Sequence, residues 1–223
     1  MTQETFTMRR GAGRPTREQA EARHEELLDA ALDLFLEHGF EPTTIEMVAA
    51  QVSMTRRTVY ARYADKAALF RTAVQRAIER QIVPPDVLAG FDQGDLAKTL
   101  ESVARLRIGQ VMTPNGLRLQ RIINTESYRF PEIFTANLEQ SAKPVTDFVA
   151  DVLDRAVAAG QIAPTDSGFA ASAFMSMVVG GQVRSIVSGR VPTQAELDRK
   201  VHFTVRLLLD GLRPRVDDKG KAP

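Results

Sequence analysis

Apolar residues recur at spacings of three and four along most of the chain, and no alternating segment of strand length interrupts them. The pattern predicts an all-α protein of about nine helices. The first runs from about Thr16 to His38, with Leu27, Leu28, Ala31, Leu34 and Phe35 on one stripe. Glu21, Glu25, Asp29, Asp33 and Glu37 lie largely opposite, and Gly39 stands where a glycine ends a helix. Thr44 caps a short second helix reaching about Gln51, with Ile45, Val48 and Ala49 inward. Ser53 and Met54 turn the chain. Thr55 then caps a third helix, Arg56 to Arg62, whose Val59 faces the core. Asp65 caps a fourth that carries Leu69, Phe70, Val74, Ala77 and Ile78 to about Gln81.

Pro84-Pro85 and the Gly90–Gly94 stretch punctuate the chain, placing a domain boundary at about residues 82–94. Helical spacing resumes over 95–112, continues to about Ser127, and runs again from Pro131 to about Ala159. Pro144 should kink or split this last helix, because it lacks an N–H and its ring crowds the preceding turn. Two further helices span about 165–188 and 193–212. The earlier is apolar nearly all round and rich in small residues; the later carries Leu197, Val201, Phe203, Val205 and Leu207 to Leu209. So much apolar surface predicts a homodimer interface, the alternative being that the first of the pair is the central helix of a monomer. The predicted organisation is a flexible basic arm (1–15), a helix-turn-helix domain (16–82), a larger helical domain carrying the dimerisation pair (95–212) and a flexible tail (213–223).

The net charge of +1 is uninformative, but its distribution is not. Arg9, Arg10, Arg14 and Arg17 stand together without an acid; residues 18–46 carry nine acids against Arg23 alone; residues 51–80 hold seven bases against two acids. Such alternation suits a protein with one face toward phosphate and another away from it. With no cysteine there is no disulfide framework or thiolate site. No N-terminal signal core and no membrane-length apolar run stands out, so a cytoplasmic location is expected. His24, His38 and His202 are far apart, and no phosphate-cradling glycine loop or metal-ligand spacing is present. The expectation is therefore no enzyme, no cofactor and no metal.

Residues 43–66, TTIEMVAAQVSMTRRTVYARYADK, hold the strongest motif. A turn-joined helix pair whose second member opens with two arginines and two threonines suits the major groove. With Ala30, Ala31, Phe35, Gly39 and Phe40 before it and Leu69 and Phe70 after it, this stretch resembles the DNA-binding domain of the TetR family of bacterial transcription regulators. One departure is Ser53, where the family usually has glycine. The resemblance implies phosphate or base contacts for Thr44, Thr55, Arg56, Thr58, Tyr60 and Lys66. The residues themselves add Arg57 as a base reader and Tyr63 as a phosphate contact. Lys66 opposes the dipole of its helix, a mismatch a phosphate would relieve. Arg14, in Gly13-Arg14-Pro15, suits a minor groove or plain phosphate contact.

Beyond residue 80 the likeness is one of architecture, with Ser127-Tyr128-Arg129-Phe130-Pro131 similar to one C-terminal domain type of these regulators. It implies a homodimer on a palindromic double-stranded operator, released by a small-molecule effector. Candidate lining residues are Leu106, Gln110, Ile122, Tyr128, Phe130, Phe134, Asn137, Phe148, Phe174 and Met177, although Phe and Met at helical spacing also build cores. The alternatives are an activator of the same fold, or a helical ligand binder without DNA binding.

Overall fold

The computed structural model describes residues 16–181, 185, 187–190 and 192–214, and these form helices and turns without a strand among them. The basic arm with Arg14 lies outside the described residues. Two compact units divide the chain, residues 1–73 and 74–223. The division falls within the fourth helix, ahead of the 82–94 segment marked by the prolines and glycines.

The first unit contains α1 (Arg17–His38), α2 (Ile45–Gln51), α3 (Arg56–Tyr60) and the start of α4 (Lys66–Glu79). Thr16 and Gln19 close a capping box: Thr16 Oγ1 accepts the Gln19 N–H at 3.2 Å, and Gln19 Oε1 accepts the Thr16 N–H at 3.0 Å. Gly39, at φ 85, ends α1 while its N–H donates to the Phe35 carbonyl. Phe35, Phe40 and Phe70 pack with ring centroids 5.0–5.8 Å apart. Burying each such ring is worth about 1.5–3 kcal/mol, so this trio anchors a small unit. Thr43 is fully buried and donates to the carbonyls of Leu34 and Gly39, fastening the loop after α1.

The second unit holds α5 (Pro85–Ala89), α6 (Leu96–Val111), α7 (Pro114–Glu126), α8 (Pro131–Asn137), a π-helical turn (Leu138–Ala142), α9 (Lys143–Ala158), α10 (Ser167–Val179) and α11 (Gln194–Gly211). Helices α6, α9, α10 and α11 pack around Leu100, Val103, Val149, Leu153, Phe174 and Val205. Three local outcomes follow from backbone chemistry. Helix α5 lies in the segment read as linker, with Pro85 preset in its first turn and Leu88 buried. Pro144 is absorbed by the π turn, where the Lys143 N–H reaches back to the Leu138 carbonyl, so that Pro144 falls in the opening turn of α9. The helix expected over 165–188 stops at Val179, because Gly180 is extended and Gly181 takes φ 91; helical backbone reappears at Ser185, Val187 and Ser188. Two successive glycines have the least to lose by leaving a helix.

Candidate nucleic-acid interface

Local capping builds the helix pair. Thr44 Oγ1 accepts the Met47 N–H at 3.2 Å, and Thr55 Oγ1 accepts the Thr58 N–H at 3.2 Å while lying 2.8 Å from the Thr58 hydroxyl. Between them Ser53 takes φ 52, the one positive φ outside glycine among the described residues. The Met54 N–H then donates to the Ala49 carbonyl at 2.8 Å and closes the turn. The left-handed turn is thus kept without the glycine, at a cost of about 1–2 kcal/mol.

Helix α3 buries Val59 completely and leaves Arg56, Arg57, Thr58 and Tyr60 exposed. Thr44 and Thr55 are exposed beside them. Arg57 has no ion pair among the described residues, whereas Arg56 is already engaged: its Nε lies 2.8 Å from Glu46 Oε1, and its guanidinium sits 5.2 Å from the centre of the Tyr60 ring. The Glu46 carboxyl is held below the usual carboxylate range by its own backbone N–H at the start of α2, and then by the Arg56 charge.

Two residues given phosphate contacts in the sequence reading have other partners. Tyr63 is buried, with its hydroxyl 2.5 Å from His24 Nε2; burial pushes the phenol up from its ordinary value. Lys66 Nζ donates to the carbonyls of Phe40 and Glu41, both at 2.8 Å, and lies 4.5 Å from the centre of the Phe40 ring. The carbonyls after α1 therefore offset the dipole mismatch that a phosphate was expected to relieve. Sequence reasoning did not place Arg23, His24 and Arg62, which line a recess of about 310 Å³ with Ser53, Met54, Thr55 and Thr58. The one available signal was Arg23, the lone base in an acidic stretch.

The effector candidates of the second unit are dispersed. Phe174, Ile122 and Phe130 are buried, and Leu106 and Phe148 pack against the core. Gln110, Asn137 and Met177 are half-buried. Tyr128 is 97% exposed and Phe134 52% exposed, so neither closes a cavity within this chain.

An exposed, capped recognition helix on a small helical unit, followed by a larger helical unit, defines a helix-turn-helix regulator. Residues 27–73 match the family described as bacterial regulatory proteins, tetR family, and residues 98–211 match the AefR-like transcriptional repressor C-terminal domain. An uncharacterised HTH-type transcriptional regulator of Mycobacterium bovis is 30% identical over 173 residues, covering 77% of this chain and 80% of its own. A TetR-family regulator structure from Mesorhizobium loti superposes with a TM-score of 0.72 at 22% identity, covering 90% of this chain and all of that one. The flavonoid-responsive regulator FrrA gives 0.64 at 26% identity over 88% of this chain and 100% of its own. The chain belongs to the TetR family and is a DNA-binding transcriptional regulator. Among the described residues no helix is long and apolar enough to cross a membrane.

Proposed function

We propose that this regulator is a repressor that binds an approximately palindromic operator as a homodimer and is released by a small molecule held within residues 95–212. The observation that carries the reading is an exposed recognition helix joined to a unit matching a repressor C-terminal domain, whose last helices leave large apolar side chains in the open. Phe169 on α10 is 76% exposed and Phe203 on α11 68%. A second copy is a fitting cover for such a face.

In this reading Arg57 is the principal base reader, since a bidentate arginine–guanine pair is the commonest specific contact. Arg56 joins it on leaving Glu46, and Thr44, Thr55, Thr58 and Tyr60 fix register on the phosphates, with Arg14 reaching along the backbone. Tyr63 and Lys66 support the motif from behind. A dimer sets its two recognition helices in grooves roughly 34–36 Å apart, which gives the operator its half-site spacing. The effector and the operator prefer different conformations, so each weakens the other by the same factor. The flavonoid response in FrrA's name supports small-molecule control as the type of signal.

Selection of random duplex DNA by the full chain, repeated across a salt series, tests this. Enrichment of a palindrome whose affinity falls steeply with salt is the expected result. Enrichment of a single half-site, or none, overturns the dimeric reading.

A further inference from the structure

Several arginines on the outside of the second unit have carboxylate partners: Arg105 with Asp198 and Glu101, Arg155 with Asp92, Arg190 with Glu196. Arg107, two positions from Arg105 on α6, does not. It is 6% exposed, on the same buried face as Val103, Ala104 and Val111, and no carboxylate pairs with it among the described residues. Nη1 carries its hydrogen bonds, donating to Gln110 Oε1 at 2.8 Å and to Ser141 Oγ at 3.4 Å. Nε is buried with no hydrogen-bond partner among the described residues. Burial lowers the pKa of this guanidinium from its ordinary value, yet an arginine side chain keeps its proton in proteins. A full positive charge is thus more than nine-tenths buried, answered among the described residues by neutral dipoles.

The surroundings are ordered for polar recognition. Ser141 is 2% exposed and sits in the π-helical turn, an irregularity that recurs at functional sites. Its hydroxyl and the Gln110 amide both donate to the Gln81 carbonyl, at 3.4 and 3.3 Å, which holds Gln110 and Ser141 on one side of the guanidinium. Because Nη1 takes that side, the edge formed by Nε and Nη2 is left over. That edge offers two parallel N–H groups, the fork that matches the two oxygens of a carboxylate. Buried Thr99, by contrast, finds both the Phe91 and the Asp95 carbonyls.

We infer that Arg107 is the anchor of an effector site for a small organic acid, its carboxylate on the Nε–Nη2 edge and its apolar body among the core residues of α6. The inference deepens the proposed release by a small molecule and rests on that reading for its regulatory meaning, but not for the binding itself. Binding supplies the missing counter-charge, which is the reason an acid is preferred over a neutral compound of the same shape.

Equilibrium dialysis of the full chain without DNA, at fixed ionic strength, is the test. The probes are octanoate, benzoate and hydrocinnamate, each beside its primary amide. Expected is retention of at least one acid over its amide by roughly ten- to a hundredfold, the worth of a charge-assisted hydrogen bond pair. Arg107→Met loses that preference. Gln110→Glu, which sets an internal carboxylate beside the guanidinium, loses it too and melts at a higher temperature. If Arg107→Met fails to fold by circular dichroism, Gln110→Glu decides. No acid held above its amide, or acid binding unchanged in Gln110→Glu, overturns the site. A retained acid that leaves the operator complex intact supports the site and overturns release by this route. Release by a compound whose binding ignores Gln110→Glu upholds release and overturns the site.

Discussion

Arg56 Nε and Glu46 Oε1 lie 2.8 Å apart, joining the first turn of the recognition helix to the first turn of the helix before it. The pair is exposed on both sides, so solvent screens it and it adds little to stability. In the proposed operator complex its consequence is for DNA binding, because there Glu46 would compete with the operator for Arg56 and set a negative charge near incoming phosphates. Glu46→Gln is expected to raise operator affinity by a few-fold at low salt, with the gain shrinking as salt rises. Fluorescence anisotropy over a salt series reads this; an affinity loss would show that the pair positions Arg56 for binding.

Among the described residues Arg57 has no such competitor. Arg57→Ala is expected to reduce discrimination between operator and random duplex by roughly five- to a hundredfold. Loss confined to affinity, equal on both DNAs, would make it a phosphate contact instead.

The left-handed turn at Ser53 predicts a gain from the residue it displaces. Ser53→Gly relieves the Cβ conflict at φ 52, less the entropy glycine adds to the unfolded chain. A stabilisation of about 0.5–1 kcal/mol in urea unfolding is expected. A destabilised variant would mean that the Ser53 side chain makes a compensating contact.

Phe203 tests the dimer. At 68% exposure its side chain contributes little to the fold of one chain, so Phe203→Glu should leave the helical signal intact and shift sedimentation from dimer to monomer. Operator affinity then falls steeply, since two half-sites no longer bind as one. A dimer that persists would place the interface elsewhere.

Glu196 gives α11 an acid-sensitive start. Its carboxylate accepts the Thr193 N–H at 2.9 Å and pairs with Arg190, and these bring its pKa from 4.5 down to about 2. A pKa depressed on folding means that the unfolded chain binds the proton more readily, so the stabilisation is complete above pH 4.5 and fades as pH falls toward 2. The melting-temperature gap between the natural chain and Glu196→Gln should therefore be constant above that range and narrow within it.

Much of this protein is written in local sequence. Helical spacing announced the long helices, and Thr44 and Thr55 announced the starts of α2 and α3. Each of these features depends on residues three or four apart, whose geometry the helix itself supplies. Where local signals conflicted, reading was poorer: the glycines after Val179 interrupt an apolar run that looked continuous, and Pro144 could not by itself reveal a π turn.

The partners of polar side chains were beyond that reach. Tyr63 meets His24 across 39 residues, Lys66 meets the Phe40 carbonyl across 26, and Arg107 meets Ser141 across 34. A tyrosine, a lysine and an arginine look alike in sequence whether they face phosphate, a helix end or a buried dipole. By itself the sequence determined most of the long helices, the threonine caps of α2 and α3 and an exposed arginine-bearing helix, since these follow from short-range chemistry. Only the tertiary structure decided which charges are spent inside the fold and which, as at Arg107, remain unanswered, because that depends on what distant segments bring within a few ångströms.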